Sequence, residues 1–257
     1  MSHHPFVLSL LSWACLPVYV VQGLRARRGS LRLSPAEGPR SGTVGDGDAT
    51  VRLLTLGDSS AAAVGIDHTS GSIAPKIAQL MAEDQQSAVS WHISGHNSAV
   101  SEQLWRAVVP NLPAQDYTHI LIMVGANDMK NWHSVGRFKR EFGTLLYAVR
   151  ARFPEAKIYW SQFIDMERVP MLPRSLARVL NLRRALLNRK GAQLCVERGV
   201  VCIPPLPITE ANGFCRDGFH ANEDGYTAWA QHVFDHLDHT PRSTPAAAPF
   251  IDRASNS

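Results

Sequence analysis

Cysteine is scarce in this sequence. Four of its 257 residues are cysteines, Cys15, Cys195, Cys202 and Cys215, and no two of them form a C-x-x-C pair. That spacing argues against a zinc framework and sets no disulfide pattern. A Cys202–Cys215 bridge would need an oxidising compartment, and buried free thiols are the simpler expectation. Strong charge is lacking as well. There are 26 Lys and Arg against 22 Asp and Glu, a formal net charge of +4, so the whole-molecule balance does not point to nucleic acid as a partner. No internal repeat is visible. What remains is an ordinary mixture, 45% hydrophobic and 19% charged. It suits one globular domain with appendages and is long enough to bury a core.

The first appendage is apolar. Residues 6–21 are almost uninterrupted Phe, Val, Leu, Trp, Ala, Cys, Pro and Tyr, with Arg25, Arg27 and Arg28 close behind. A cleaved signal peptide wants Lys or Arg before the run and an A-x-A-like site after it; neither is present. Trp13 spoils a lipoprotein signal around Cys15. A membrane anchor over 1–28 fits better, although the run is short for a full span. The arginines would hold their side cytoplasmic, placing the catalytic domain there; a secreted or periplasmic protein is the alternative. A helix packed on the domain itself is the third reading. Residues 29–50 turn to Gly, Pro, Ser and Arg without periodicity and read as a linker. Residues 240–257, rich in Pro, Ala and Ser, read as a disordered tail. The folded domain is expected over 51–239.

Within it, short apolar runs alternate with amphipathic segments. Strands are expected at 51–56, 89–94, 119–124, 157–163 and 200–203. Helices are expected at 73–82, 98–108, 135–153, 175–197 and 222–237. Phe138, Phe142, Leu145, Leu146, Val149 and Phe153 recur on one helical face, and Pro154 ends that helix. The alternation predicts an α/β fold with a five-stranded parallel sheet covered on both faces, and such sheets carry their sites at the carboxyl ends of strands.

Four of the turns after those strands, or near them, carry chemistry. The first is Gly57-Asp58-Ser59-Ser60, running into small helix-forming residues, so Ser59 is expected at the amino end of a helix. The second contains Gly95-His96, the third Gly125-Ala126-Asn127-Asp128 and the last Asp217-Gly218-Phe219-His220. Each has a plain alternative: a helix cap for Ser59 or Asn127, a tight turn for Gly95. Together they supply the parts of an acyl-transfer site. Ser59 is the nucleophile, His220 its general base and Asp217 the residue that fixes the imidazole tautomer. The Ser59 and Gly95 N–H groups and the Asn127 side chain are the candidate oxyanion donors. A G-x-S-x-G elbow is absent, which argues against the α/β-hydrolase version of such a site.

On these four blocks the chain resembles the GDSL-type members of the SGNH hydrolase family, over about 51–239. Ser59, Gly95, Asn127 and His220 stand at the family's Ser, Gly, Asn and His. The resemblance implies a three-layer α/β/α sandwich with a flavodoxin-like parallel sheet. It also implies ester hydrolysis through a Ser-His-Asp triad, without metal or cofactor. Ser60 departs from the Leu of the family name, and His96 puts a polar ring beside the block glycine.

Other features are less specific. Residues 164–173 follow the fourth strand and carry large apolar side chains; Met166, Val169 and Met171, with His96, are candidates for the substrate pocket. His232, His236 and His239 share a helical face, but a solvated surface is the simpler reading than a metal site. Residues 137–200 hold 14 Lys and Arg against 5 Asp and Glu, led by Arg174, Arg178, Arg183, Arg184, Arg189 and Lys190. That is either a solvated face or a contact with anionic lipid headgroups. The expected function is a serine esterase acting on a small ester or lipid-like substrate. An acyltransferase or carbohydrate O-deacetylase using the same site, and a non-catalytic binding module on the same sheet, are the competing classes.

Overall fold

The computed structural model describes residues 13–29, 31–208 and 211–237. The expected tail and His239 lie outside them, as do residues 6–12 of the apolar run. Among the described residues the sheet has six strands: β1 (Ser41–Val44), β2 (Val51–Gly57), β3 (Val89–Gly95), β4 (His119–Met123), β5 (Lys157–Ser161) and β6 (Val201–Ile203). Their spatial order is β1-β3-β2-β4-β5-β6. All neighbours are parallel except β1, which runs antiparallel to β3. The five parallel strands have the flavodoxin-like order, and the direction in which successive strands are added across the sheet reverses between β2 and β4.

Alternation along the strands builds two core layers, because successive side chains leave opposite faces. Leu54, Leu56, Ile120, Ile122, Ile158 and Trp160 enter one layer. Leu53, Leu121, Met123 and Tyr159 enter the other. The first is covered by α4 (Val135–Arg152) and α5 (Arg174–Arg198), the second by α2 (Ile73–Gln85) and α6 (Glu223–Phe234). A short α3 (Ala126–Lys130) follows β4. The expected face of α4 is the buried one: Phe138, Phe142, Leu145, Leu146 and Val149 are all sealed in the core. Ser134 caps its start by accepting from the Arg137 N–H. Gly199, with φ +63°, ends α5 in the left-handed conformation that suits glycine.

Three stretches differ from expectation. The supposed linker contributes β1, a sixth strand. Gly42 there lies against the Trp91 ring, where a Cβ would come within 2.8 Å of it; a Ser-Gly-Thr-Val edge strand shows no hydrophobic alternation by which to find it. The helix expected at 98–108 is irregular: Ser101–Gln103 is followed by a wide turn, Leu104–Val108, and a tight one, Val109–Asn111. Pro110, without an N–H, cannot continue a regular ladder. Finally, the described part of the apolar run forms α1 (Leu16–Gly29), which packs on the domain. Tyr19 stacks on Trp132 at 4.3 Å and its hydroxyl donates to the Lys130 carbonyl, while Gln22 accepts from Ser175 at 2.8 Å. Among the described residues no helix is long and apolar enough to cross a membrane.

Candidate active site

The site forms where the strand order reverses, between β2 and β4. Gly57 ends β2 so close to β4 that a Cβ would lie 2.1 Å from the Met123 carbonyl oxygen. The chain then enters a compact turn instead of the helix expected after Ser59. Ala62 N donates to Asp58 O at 2.9 Å and Val64 N to Ser59 O at 3.0 Å, but no regular helix forms before Ile73. A helix macrodipole is therefore not what acts on Ser59. Asp58 and Ser59 are both buried.

Three predicted residues make one hydrogen-bonded line. His220 Nε2 lies 3.0 Å from Ser59 Oγ, and His220 Nδ1 lies 2.6 Å from Asp217 Oδ2. The other carboxylate oxygen, Asp217 Oδ1, accepts from the Phe219 and His220 N–H groups at 2.8 and 2.9 Å and from the Cys215 thiol at 3.1 Å. Burial alone would raise the Asp217 pKa; the hydrogen bonds from His220 and the backbone outweigh it and hold the carboxyl below its usual range. Burial lowers the His220 pKa, with the nearby Lys130 charge acting in the same sense and Asp217 opposing both.

The two block residues from other turns meet the Ser59 turn directly. Gly95 pairs with Gly57 in register. A Cβ on it would lie 2.1 Å from Ala62 N, so the glycine is required by close approach rather than by a turn. Asn127 Nδ2 donates to Asp58 Oδ2 at 3.2 Å and to the Ala99 carbonyl at 3.0 Å. Asp58 Oδ1 accepts from Ser60 N at 3.0 Å, so one buried carboxylate ties the Ser59 turn to Asn127. Burial pushes its pKa up to about 6, against the Ser60 N–H and Lys130. This bridging place of Asp58 was not read from sequence, although the residue stands inside the Ser59 block. Nor was the thiol on Asp217, which Cys215 supplies from two positions away.

A cavity of about 330 Å³ opens beside His220, at the carboxyl ends of β4 and β5 and under α6. Asp58, Ser60 and His220 contribute to its wall, with Phe163, Ile164 and Trp229. Of the four pocket candidates, Met166 and Val169 line it. Met171 and His96 are not on its wall. The Met171 N–H donates to the Gly218 carbonyl at 3.0 Å, bracing the His220 turn, and His96 is an exposed ring 3.4 Å from Ser94 Oγ. Across the site, the Tyr226 hydroxyl of α6 lies 3.0 Å from the Val64 carbonyl and 3.2 Å from that of Ser60. Among the described residues no group of three or more His, Cys, Asp or Glu is arranged to hold a metal ion.

Residues 55–228 match the profile of the GDSL-like lipase/acylhydrolase family. The chain belongs to that family. Solved structures agree on the fold of this hydrolase. A lipase from a goat rumen metagenome superposes with a TM-score of 0.60 at 15% identity, covering 74% of this chain and 100% of its own. The psychrotrophic esterase EstA from Pseudoalteromonas, in a structure inhibited by monoethylphosphonate, gives 0.57 at 18% identity, covering 72% and 95%. Phospholipase A1 from Streptomyces albidoflavus gives 0.54 at 15%, covering 74% and 100%. No curated protein matches the sequence significantly. The GDSL-like hydrolase is an enzyme acting on ester bonds.

Proposed function

We propose that this hydrolase is a serine esterase that cleaves carboxylic esters through an acyl-enzyme on Ser59. The observation that carries this reading is the line from Ser59 Oγ through the His220 ring to Asp217, with contacts of 3.0 and 2.6 Å. His220 takes the hydroxyl proton as Oγ attacks the ester carbonyl, and returns it to the departing alcohol. Asp217 holds Nδ1 protonated and stabilises the imidazolium. Water, activated by the same imidazole, then releases the acid. The Ser59 and Gly95 N–H groups and the Asn127 amide meet the developing oxyanion. Asn127 already donates to Asp58 and Ala99 at rest, and one of these two N–H groups turns to the oxyanion. The acyl group occupies the apolar cavity beside His220, with Met166 and Val169 against its chain.

A fluorophosphonate probe tests the nucleophile, and the phosphonate-inhibited state of the similar esterase supports that choice of reagent. Native protein should take up one phosphonyl group per chain, and Ser59→Ala none. Labelling of Ser59→Ala at the native rate would overturn the assignment.

A further inference from the structure

We infer that the outer face of α1 is a docking surface for an anionic lipid bilayer, on which the helix lies flat. This inference stands on α1 and its neighbours and does not depend on the chemistry assigned to Ser59.

Exposed apolar side chains are concentrated there. Eight large hydrophobic residues are exposed among the described residues, and five of them, Trp13, Val20, Val21, Leu24 and Leu31, fall on α1 or its flanks, each between 45% and 55% exposed. Val20, Val21 and Leu24 share one helical face, spaced i, i+1 and i+4. The opposite face is the one already engaged, through Tyr19 on Trp132 and Gln22 on Ser175. The apolar stripe therefore points away from the engaged face, and among the described residues nothing covers it.

Charge selects the occupant. The first 36 residues contain no Asp or Glu but four arginines, Arg25, Arg27, Arg28 and Arg32. On α5, Arg174 stands exposed next to Ser175, the residue that touches α1. Arg178, one turn further, is exposed and only loosely paired with Glu167 at 3.7 Å. Arg183, expected from sequence on the same basic face, is not part of it. It is buried, with its guanidinium 4.1 Å over the Trp132 ring and donating to the His133 carbonyl. An apolar stripe on a helix without Asp or Glu, with Arg25 and Arg174 exposed nearby, fits the headgroup boundary of anionic lipid. A second copy of the chain on a two-fold axis would bring like charges together. The described helix has 14 residues, about 21 Å of length, less than a bilayer core of about 30 Å, and an apolar stripe along one side suits a helix lying in the interface. The Lys130 carbonyl receives the Tyr19 hydroxyl, Lys130 Nζ sits 4.6 Å over the Phe219 ring, and Phe219 lines the cavity. These contacts connect α1 to the wall of the cavity.

The test is sedimentation of the full chain with phosphatidylcholine vesicles, with and without phosphatidylglycerol, at low and high salt. Native protein should pellet with the anionic vesicles, about tenfold less with neutral ones, and release in salt. The triple variant Val20→Ser, Val21→Ser, Leu24→Ser should stay in solution while keeping native turnover of a water-soluble ester. Val196→Ser, an exposed apolar position on α5, should still pellet. If the triple variant fails to fold, the pair Arg25→Glu, Arg174→Glu decides in its place. The inference is overturned if native protein ignores anionic vesicles or if the folded variants pellet like native. It is equally overturned if light scattering shows a native dimer that the triple substitution breaks while vesicles are not bound.

Discussion

The described residues hold two hydrogen-bonded trios of serine, aspartate and histidine, and their difference shows what makes one of them suited to catalysis. In the first, Asp217 and His220 stand three residues apart, and Ser59 meets the far nitrogen of the ring. In the second, Asp128 and His133 stand five apart, with His133 Nδ1 3.1 Å from Asp128 Oδ1. Ser101 meets the acid instead: its hydroxyl and its N–H both donate to Asp128 Oδ2, at 3.1 and 3.0 Å. Composition is the same; the order of bonding is not. A serine that donates to a carboxylate has its proton committed to an acceptor that cannot pass it to a leaving group. A serine at the far end of an imidazole can lose its proton to a base that will return it. Access differs too. The His220 side chain keeps 18% of its surface exposed, and the ring borders the cavity. His133 keeps 6%, and Arg183 seals its backbone. The second trio joins the turn after β4 to the irregular 101–111 segment and to α5, as a structural clasp.

The largest expected effect separates the two serines. Ser59→Ala should lower kcat by at least about 10⁴-fold with the melting temperature unchanged. Ser101→Ala should do the reverse, costing about 1.5–3 kcal/mol of stability for the lost bond to a buried carboxylate while leaving kcat near native. Calorimetry and turnover on both variants check it, and equal losses of turnover would dissolve the distinction. Next comes the acid. Asp217→Asn keeps the shape but disturbs the tautomer, so kcat should drop about 10⁴-fold with little change in KM; steady-state kinetics would show a KM effect instead if Asp217 only shaped the pocket. A smaller effect follows from the cavity, which His220 borders and His133 does not. Met166→Ala should move the acyl-length preference of p-nitrophenyl esters by several fold toward longer chains, and Met171→Ala should leave the profile in place, because Met171 braces the turn without facing the cavity. The smallest effect concerns pH. His220 must be neutral to accept the serine proton, and burial lowers its pKa below 6.5, so kcat/KM should fall on the acid side with a midpoint below 6.5. Lys130 lowers that pKa further, so Lys130→Met should raise the midpoint. A downward movement would contradict the sign.

The four blocks were legible because each combines a strand end with a chemically distinctive residue, and the parallel order because apolar runs alternate with helical periods. What escaped reading depends on approach and burial. Gly95 looks like a turn residue, but its need for no Cβ comes from Ala61 and Ala62 in another segment. Arg183 counts as surface charge in a tally, yet it stacks on Trp132 inside the protein. Asp58 reads as part of a turn; its bond to Asn127 crosses 69 residues of chain. β1 carries no periodic signal, and α1 shows which of its faces is engaged only once Trp132 and Ser175 are in place.

The Tyr226 hydroxyl, wedged against the Ser60 and Val64 carbonyls, bears on when the enzyme becomes active. It joins positions 162 residues apart, and Ser59 and His220 are separated by 161. At a synthesis rate of about 5–20 residues per second, a growing chain carries its serine for about 10–30 s before the imidazole exists. The Ser59 turn lacks its brace for the same interval. If Ser59 and His220 act as proposed, the nascent polypeptide is born inert, and ester cleavage begins only when α6 has been made and has locked onto the turn that it completes.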